Sequence, residues 1–540
     1  MSRCLITKVR RLRRDDQGYV AIMVALMSSV LLCMCALTVD VGYWYVVASQ
    51  AQKAADAAAL GGVPNLPGNQ SAAFTAAQLL AKQNGFANGV ASTSVATSIG
   101  NQPSRLRVTV TRTVDNFFGP LFGIPKTTIT RSAMADYVGP LPMGSPCNEF
   151  GNDPDNGTDN RRSTNCSNAG QFWANVGSWS ASKLSGDAYQ NNSCGSGIDG
   201  CTGSLNTDYD PNGYYYVVTL TRAVSNLQFE AFDPALVAVG DLCGDGTNPT
   251  SDKSLTGKDR NGIADPRYAK GAASPFCTGD VRFGGTGEVS TQFTVREAGS
   301  STTFWDPASY TARTGCNKVF AGYNLPNNAT AISTMPLGTY NVFRKWTPLC
   351  DSPIASAPAG QYMIQVKTNG LGTDAASGHN RFGLRVYSTS DTTAKDAISI
   401  AGFSKMAIYA NLPSATTTFF LARVPSAAAG QVLNVKLFDI GDSTGSGTVS
   451  ILSPSGGPLT GCTGSGPITS VPNCKFTANS TFNGKWQVVS VPIPPTYSCV
   501  DSDPNACWFK LQYYYGLGNQ PSDTTSWSAA LAANPVRLVE

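Results

Sequence analysis

Residues 19–39, Tyr19 to Val39, run for twenty-one positions without a charge, and six basic residues precede them: Arg3, Lys8, Arg10, Arg11, Arg13 and Arg14. At about 1.5 Å per residue, a helix of that length crosses a hydrocarbon layer of roughly 30 Å. The basic flank is expected to stay in the cytoplasm, which sends the rest of the chain to the far side. A cleaved secretory signal has a shorter apolar core, about 7–15 residues, ending at a small-x-small site. Here the run is longer and is followed by Asp40-Val41-Gly42-Tyr43-Trp44-Tyr45, an acidic stop and three rings suited to the headgroup level. The expectation is an uncleaved anchor: a basic cytoplasmic segment at 1–16, one membrane pass, and extracytoplasmic domains beyond it.

The other bulk properties fit that compartment. A chain of 540 residues has room for three or four domains with real cores. Only 14% of residues are charged, while Gly (54) and Pro (32) are plentiful, which suits a turn-rich extracytoplasmic β protein. The net charge of +4 resides in residues 1–16, which hold six basic and two acidic groups and leave 33 of each elsewhere. A neutral remainder has no electrostatic reason to bind nucleic acid. Of fifteen cysteines, Cys4, Cys33 and Cys35 lie in or before the anchor, and the other twelve are an even number for an oxidising compartment. Nearest-neighbour pairing is expected: Cys147 with Cys166, Cys194 with Cys201, Cys243 with Cys277, Cys316 with Cys350, Cys462 with Cys474 and Cys499 with Cys507. Zinc is a poor alternative, because no two-residue Cys spacing occurs beyond the anchor.

Helix is expected to continue past the membrane. Residues 43–60 are rich in Ala, the best helix former, and contain no Gly or Pro until Gly61-Gly62 and Pro64 stop them. From Gln17 to Leu60 this makes one helix of roughly 65 Å. Tyr45, Gln52 and Asp56 share one face of it, and the opposite Ala-rich strip is narrow enough for another helix to approach closely. A second helix is expected at 70–83, with Asn69 as its N-cap. Then the period changes. Arg105–Thr111 alternates as a half-buried strand does, 117–122 (FFGPLF) reads as an apolar turn, and 125–137 reads as a second strand. Pro140, Pro142 and Pro146 mark a linker.

Beyond Cys147 no helical period is convincing. Short apolar or alternating runs such as 214–221, 226–232, 361–367, 381–387, 417–424 and 431–438 lie between Gly, Pro, Asn and Asp turns, a spacing that implies β-sandwich or jelly-roll architecture. An internal echo points to two related sandwiches. Val217–Thr221 followed by Leu227–Asp233 is matched by Phe419–Val424 followed by Leu433–Asp439, each second strand ending in Phe-Asp. Strand-end Asp also arises by turn chemistry alone. The division is expected within Asp351–Gly360.

The N-terminal residues carry a resemblance. Gln17-Gly18, the apolar run, Asp40-Val41-Gly42 and then Gln52-Lys53-Ala54-Ala55-Asp56-Ala57-Ala58-Ala59-Leu60 resemble the N-terminal module of TadE/TadG-like Flp pilus-assembly proteins, over about residues 14–62. Gly18, Asp40, Gly42, Gln52 and Asp56 are the positions that carry the motif. The resemblance implies a bacterial membrane protein of a tight-adherence pilus and secretion system, pseudopilin-like or accessory, whose partners are other subunits of that system. Prepilins of the system have a Glu five residues after the cleavage-site Gly, where this chain has Met23, which weakens any expectation of processing at Gly18. The metal motif of a von Willebrand A domain, present in many TadG-like proteins, does not occur. The stretch Asp523–Ser528 followed by Asn534–Val539 also resembles the ends of TadG-like proteins from high-GC Gram-positive bacteria.

Catalytic chemistry finds little support. His379 is the only histidine, so any Ser-His-Asp or Cys-His mechanism must use it, and its Gly/Ser/Asn-rich surroundings at Thr373–Asn380 read as an exposed hairpin loop. A glycosidase needs two facing carboxylates, and no pair is marked by spacing. Two acidic loops, with Asp153, Asp155 and Asp159 in one and Asp241 and Asp245 in the other, concentrate oxygen ligands of the kind calcium takes. Both lack the closing bidentate Glu, and solvated turns use the same residues. Asp233 and Asp439 are weaker candidates. No other cofactor is expected. Trp173, Trp179, Tyr214, Tyr215, Tyr513 and Tyr514 offer rings that stack on a surface glycan, although alternating aromatics in strands usually belong to a core.

The expected fold is mainly β with an N-terminal α+β stem: a basic segment (1–16), a transmembrane and juxtamembrane helix (17–62), a small pilin-like stem (63–138) and two β-sandwiches (139–350 and 351–540). The expected function is a membrane-anchored structural or accessory part of a Flp (Tad) pilus or secretion system, acting by binding and not by catalysis. An envelope-anchored adhesin or carbohydrate-binding protein is the alternative.

Overall fold

The computed structural model describes residues 16–66, 70–100, 104–137, 139–152, 160–166, 172–233, 236–237, 280–284, 289–299, 302, 306–320, 346–369, 372, 374–411, 416–441, 447–468, 470–514, 522–532 and 536–539. The chain forms two units, one from the N-terminal residues through Tyr137 together with Val536–Glu540, the other from Val138 to Pro535.

The first unit is organised by α1 (Asp16–Gly62), a single helix of 47 residues and on the order of 70 Å. No residue of its apolar run is buried, and two hydroxyls within it are bonded inside the helix. Ser29 Oγ donates to the Ala25 carbonyl (2.8 Å) and Thr38 Oγ1 to that of Met34 (2.7 Å). A helix that satisfies its own polar groups is what a hydrocarbon environment tolerates. Past Asp40 the same helix is covered. Val47, Ala48, Ala51, Ala54, Ala55, Ala58 and Ala59 are buried against α2 (Gln70–Gln83), whose own Ala73, Ala77 and Ala81 are buried, and against an antiparallel sheet. The close partner of the Ala-rich strip is therefore this chain's own second helix and sheet.

That sheet is ordered β1 (Thr93–Ile99), β2 (Arg105–Asp115), β3 (Lys126–Tyr137) and then the C-terminal strand Val536–Leu538. β2 is the strand that alternation predicts, and β3 is the second strand expected at 125–137. β1 is hidden in the sequence by its Ser and Thr content. The C-terminal strand corrects the expected boundaries, because 536–538 pairs with β3 (Val536 opposite Tyr137) instead of closing the second sandwich. Asp136, fully buried on β3, ties these strands together. It accepts from Ser104 Oγ (2.9 Å) and lies 3.4 Å from Arg105 Nε and 3.7 Å from Arg537 Nη2.

The second unit is two large sheets around one continuous core running from Leu141 to Ala529. Among the described residues one sheet has thirteen strands and the other ten. Two sandwich halves are present, but the division at 351–360 is wrong. Ile354–Ala357 is itself a strand, pairing with Val224–Phe232, and Gly360–Thr368 pairs with Tyr214–Leu220. In both sheets the strands up to Asn411 neighbour one another and those from Thr416 onward neighbour one another. The halves join edge to edge, through Lys405–Asn411 on Ser522–Leu531 in one sheet and Pro142–Gly144 on Thr416–Arg423 in the other. The echoed motifs take equivalent routes. Tyr214–Leu220 and Thr416–Arg423 lie in the ten-stranded sheet, and Val224–Phe232 and Val432–Phe438 in the thirteen-stranded one.

The glycines of α1 give a test of this packing. A Cβ on Gly62 meets Leu106 Cδ2 at 2.5 Å and the Ala73 carbonyl oxygen at 2.6 Å, whereas a Cβ on Gly42 meets nothing within 4 Å. Gly62→Ala is expected to destabilise the first unit by about 1–3 kcal/mol through overpacking. Gly42→Ala is expected to be neutral or stabilising by up to about 1 kcal/mol through helix propensity. Hydrogen exchange of the α2 amides in the detergent-solubilised full chain reads both. Equal effects at the two positions would show that α2 does not pack on Gly62.

Candidate functional site

The motif residues of α1 meet the rest of the stem at one place. Asp40 ends the apolar run, yet its side chain is buried rather than hydrated. Its carboxylate accepts three backbone N–H groups from the loop between β2 and β3: Oδ1 from Phe117 (2.7 Å), Oδ2 from Phe118 (3.0 Å) and Gly119 (2.7 Å). A carboxylate facing converging amides at the start of a 3-10 turn (Gly119–Phe122) is charge-assisted on every bond. Glycine is required at 119, since a Cβ there would meet the Ile124 carbonyl oxygen at 2.2 Å.

One turn further along, Trp44 Nε1 donates to Asn116 Oδ1 (2.7 Å). The Asn116 amide in turn donates to the Ile124 carbonyl (2.8 Å) and Thr127 Oγ1 (3.0 Å), closing the loop at its base. The Tyr43 and Phe117 rings meet edge to face with centroids 5.3 Å apart, and Val47, Ala48, Val114 and Ile129 pack beneath them. Higher up, Gln52 Nε2 donates to Asp56 Oδ1 (2.8 Å) and to the Ser132 carbonyl of β3 (3.2 Å). Asp40 and Gln52 thus attach α1 to the β2–β3 hairpin, and Asp56 holds the Gln52 amide within the helix. Gly42 is exposed on α1, and Gly18 lies in its first turn. Sequence reasoning missed Asn116 and the acceptor role of Asp40. The available signal was a charge-free loop, Phe117–Pro125, with an acid at the same expected height on the helix.

The remaining candidates separate. Asp153, Asp155, Asp159, Asp241 and Asp245, and with them the calcium loops, lie outside the described residues. Cys243 and Cys277, expected as a disulfide pair, lie outside them too. Every other nearest-neighbour pair is a disulfide: Cys147–Cys166, Cys194–Cys201, Cys316–Cys350, Cys462–Cys474 and Cys499–Cys507. Cys499 and Cys507 sit beside Asp501, but both sulfurs are spent in their disulfide and offer no thiolate to a metal. Asp439 is buried in a left-handed turn, where it accepts from the Gly484 N–H, and Asp233 is buried at the end of a strand. Trp173, Tyr214, Tyr215 and Tyr513 are core residues, while Trp179 and Tyr514 are exposed.

His379 is not an exposed loop residue. It is fully buried on the strand Ser377–Ser388, opposite Gly177. The Asn175 amide approaches Nδ1 at 3.0 Å and the Ser185 backbone is its other partner. Burial, reinforced by the nearby Arg381 charge, pushes the imidazole down to about 3. Nearby Asp187, also buried, accepts from Tyr214 Oη and from the N–H groups of Gly177, Tyr189 and Gln190, and burial raises its carboxyl above the usual range. These groups are structural supports of the sandwich.

Both geometries can be tested by substitution. Asp40→Ala leaves three loop donors without their acceptor and is expected to cost on the order of 3 kcal/mol. Asp40→Asn, which keeps one acceptor oxygen, is expected to cost less. Chymotrypsin cleavage at 117–122 in detergent should rise in the order wild type, Asp40→Asn, Asp40→Ala, and unchanged cleavage in Asp40→Ala would count against the clamp. For His379, the folded state holds the neutral ring while the unfolded chain takes up a proton below about pH 6.5. Its stabilising contribution is therefore complete above that pH and declines as pH falls toward 3, by on the order of 1 kcal/mol per unit. Asp187 acts in the opposite sense, so the difference between wild type and His379→Gln isolates the histidine. Urea midpoints measured from pH 7 to pH 4 should fall less steeply in the variant, and parallel curves would be the contrary result.

No curated protein and no solved structure matches the chain. A family model does match its N-terminal part. Residues 18–78, from the start of α1 through most of α2 and including Asp40, Trp44, Gln52 and Asp56, match the Flp pilus-assembly TadE/G-like (Tad) family model.

Proposed function

We propose that the protein is a membrane-anchored structural or accessory component of a Flp (Tad) pilus-assembly or secretion system, and that it acts by binding. In this reading α1 crosses the bilayer once with its N-terminus in the cytoplasm, and the sheets of both units stand outside. The observation that carries it is the change of environment along one unbroken helix: bare and apolar through Val39, clamped to a folded stem from Asp40 onward. The match to the TadE/G-like family model covers that transition and supplies the pilus context. The disulfides support an oxidising compartment for the second unit. Burial of His379, the sequence's sole histidine, supports binding over hydrolysis.

The disposition of helix α1 limits what its outer half offers to partners. With the Ala strip buried by α2 and the sheet, the face left open carries Tyr45, Val46, Ser49, Gln50 and Lys53. Contacts to other subunits are assigned to that face and to the second unit.

Fractionation of cells expressing the full chain tests the reading. The protein should resist alkaline extraction from membranes. Protease added outside intact spheroplasts should degrade the two units and spare a fragment containing residues 1–39. Maleimide without reductant should label only Cys4, Cys33 and Cys35. Recovery in the soluble fraction, or labelling of cysteines between Cys147 and Cys507, would overturn it. Co-purification with the secretion ATPase or platform subunits after crosslinking is the expected sign of the pilus context.

A further inference from the structure

We propose that the β2–β3 loop, Phe117–Ile124, is a second membrane-inserted element that enters the outer leaflet beside α1 and contacts lipid hydrocarbon. This rests on the reading of α1 as a bilayer-crossing helix.

Three independent features of the loop point to hydrocarbon as its occupant. The first is chemistry. From Phe117 to Pro125 there is no charged or hydrogen-bonding side chain, and the sequence FFGPLFGIP turns large apolar groups outward: Leu121 is 79% exposed, Phe117 65% and Ile124 50%. A loop in water has no reason to present such a patch. The second is position. Phe118, Leu121 and Phe122 line one apolar groove with Leu32, Cys33, Cys35, Ala36 and Val39 of α1. Those helix residues belong to the apolar run, and Leu32 lies roughly 12 Å along the axis from Asp40 toward the cytoplasmic end. The loop therefore reaches down the helix past the point where the run ends, and its exposed surface is continuous with the helix surface that faces the bilayer.

The third feature is polar satisfaction. Irregular backbone in hydrocarbon is tolerated only when its N–H groups are bonded within the protein. Asp40 takes those of Phe117, Phe118 and Gly119. Leu121 donates to Phe118 O (3.0 Å), Gly123 to Pro120 O (3.2 Å) and Ile124 to Gly119 O (2.9 Å), while Pro120 has no N–H. Asp40 is thereby explained as well. It is an acid placed at the edge of the apolar layer whose charge is shielded by the loop that descends past it. The first charges beyond the loop, Asp115 and Lys126, pair across its base at 3.1 Å and are both well exposed, as expected at the water boundary.

The test uses the full chain in vesicles of phosphatidylcholine and phosphatidylglycerol, with Cys4 and Cys33 replaced by Ser. An environment-sensitive NBD label is placed either on native Cys35 or, with Cys35→Ser, on Leu121→Cys. The side chain at 121 is so exposed that the substitution leaves the fold intact. Doxyl-labelled lipids then report contact with hydrocarbon. The expected result is blue-shifted emission and strong quenching at both sites, with residue 121 quenched most by a doxyl group high on the acyl chain. Quenching at 35 with water-like, unquenched emission at 121 overturns the inserted loop and leaves the anchor standing. Absence of quenching at both sites overturns the anchor itself. Blue-shifted emission at 121 that lipid doxyl groups do not quench, and that reverts when protein is diluted in excess lipid, overturns the proposal in favour of a second copy covering the loop.

Discussion

One buried carboxylate holds together the two environments of this protein. Asp40 stands where an apolar helix stops being bare, and three backbone N–H groups of a neighbouring loop converge on it. An ionised group there is costly without partners, and the amides supply them in fixed geometry. Because those amides belong to the β2–β3 loop, the same bonds set the height of the stem sheet on α1. Trp44 with Asn116, and Gln52 with Ser132, repeat the attachment above it. The stem therefore does not hang from the helix by its covalent link alone. It is bonded to the helix over several turns.

The topology adds a second constraint. The large second unit leaves the stem after Tyr137 and its chain returns at Val536, and those residues are paired across β3 and the C-terminal strand. Asp136, on β3 beside that pairing, reaches Arg537 on the C-terminal strand and Arg105 on β2. The second unit is thus an insertion into the stem sheet, not a domain appended to it. Its two halves, in turn, share sheets across their edges, which removes strand edges that would otherwise pair with other chains.

How much of this was legible in the sequence follows from the range of each interaction. The helix to Gly62, α2, β2, β3 and the close disulfides rest on local composition and spacing, and they read correctly. The segment Asp351–Gly360 reads as a linker because Pro, Ser and Ala are common there, yet Ile354–Ala357 finds a partner strand more than a hundred residues earlier in the chain. His379 sits among Gly, Ser and Asn, which favour loops in isolation. Its strand is nevertheless central, and tertiary pairing outweighs that preference. The C-terminal strand is only three residues long and carries no pattern that reveals its distant partner, β3. Asp40 is recognisable as a motif residue, but what it binds depends on where a loop folds back, and spacing along the chain does not encode that.

The claim that Asp40 fastens the loop to α1 is tested most directly by hydrogen exchange on the full chain reconstituted in a bilayer. The amides of Phe117, Phe118 and Gly119 lie in a loop, between strands, with no ladder to protect them. Protection as strong as that of the central residues of β2 and β3 is expected for these three amides, and its loss is expected in the Asp40→Ala variant, since burial in lipid alone would protect both proteins equally. Exchange as fast as in the exposed turns of the second unit would contradict it.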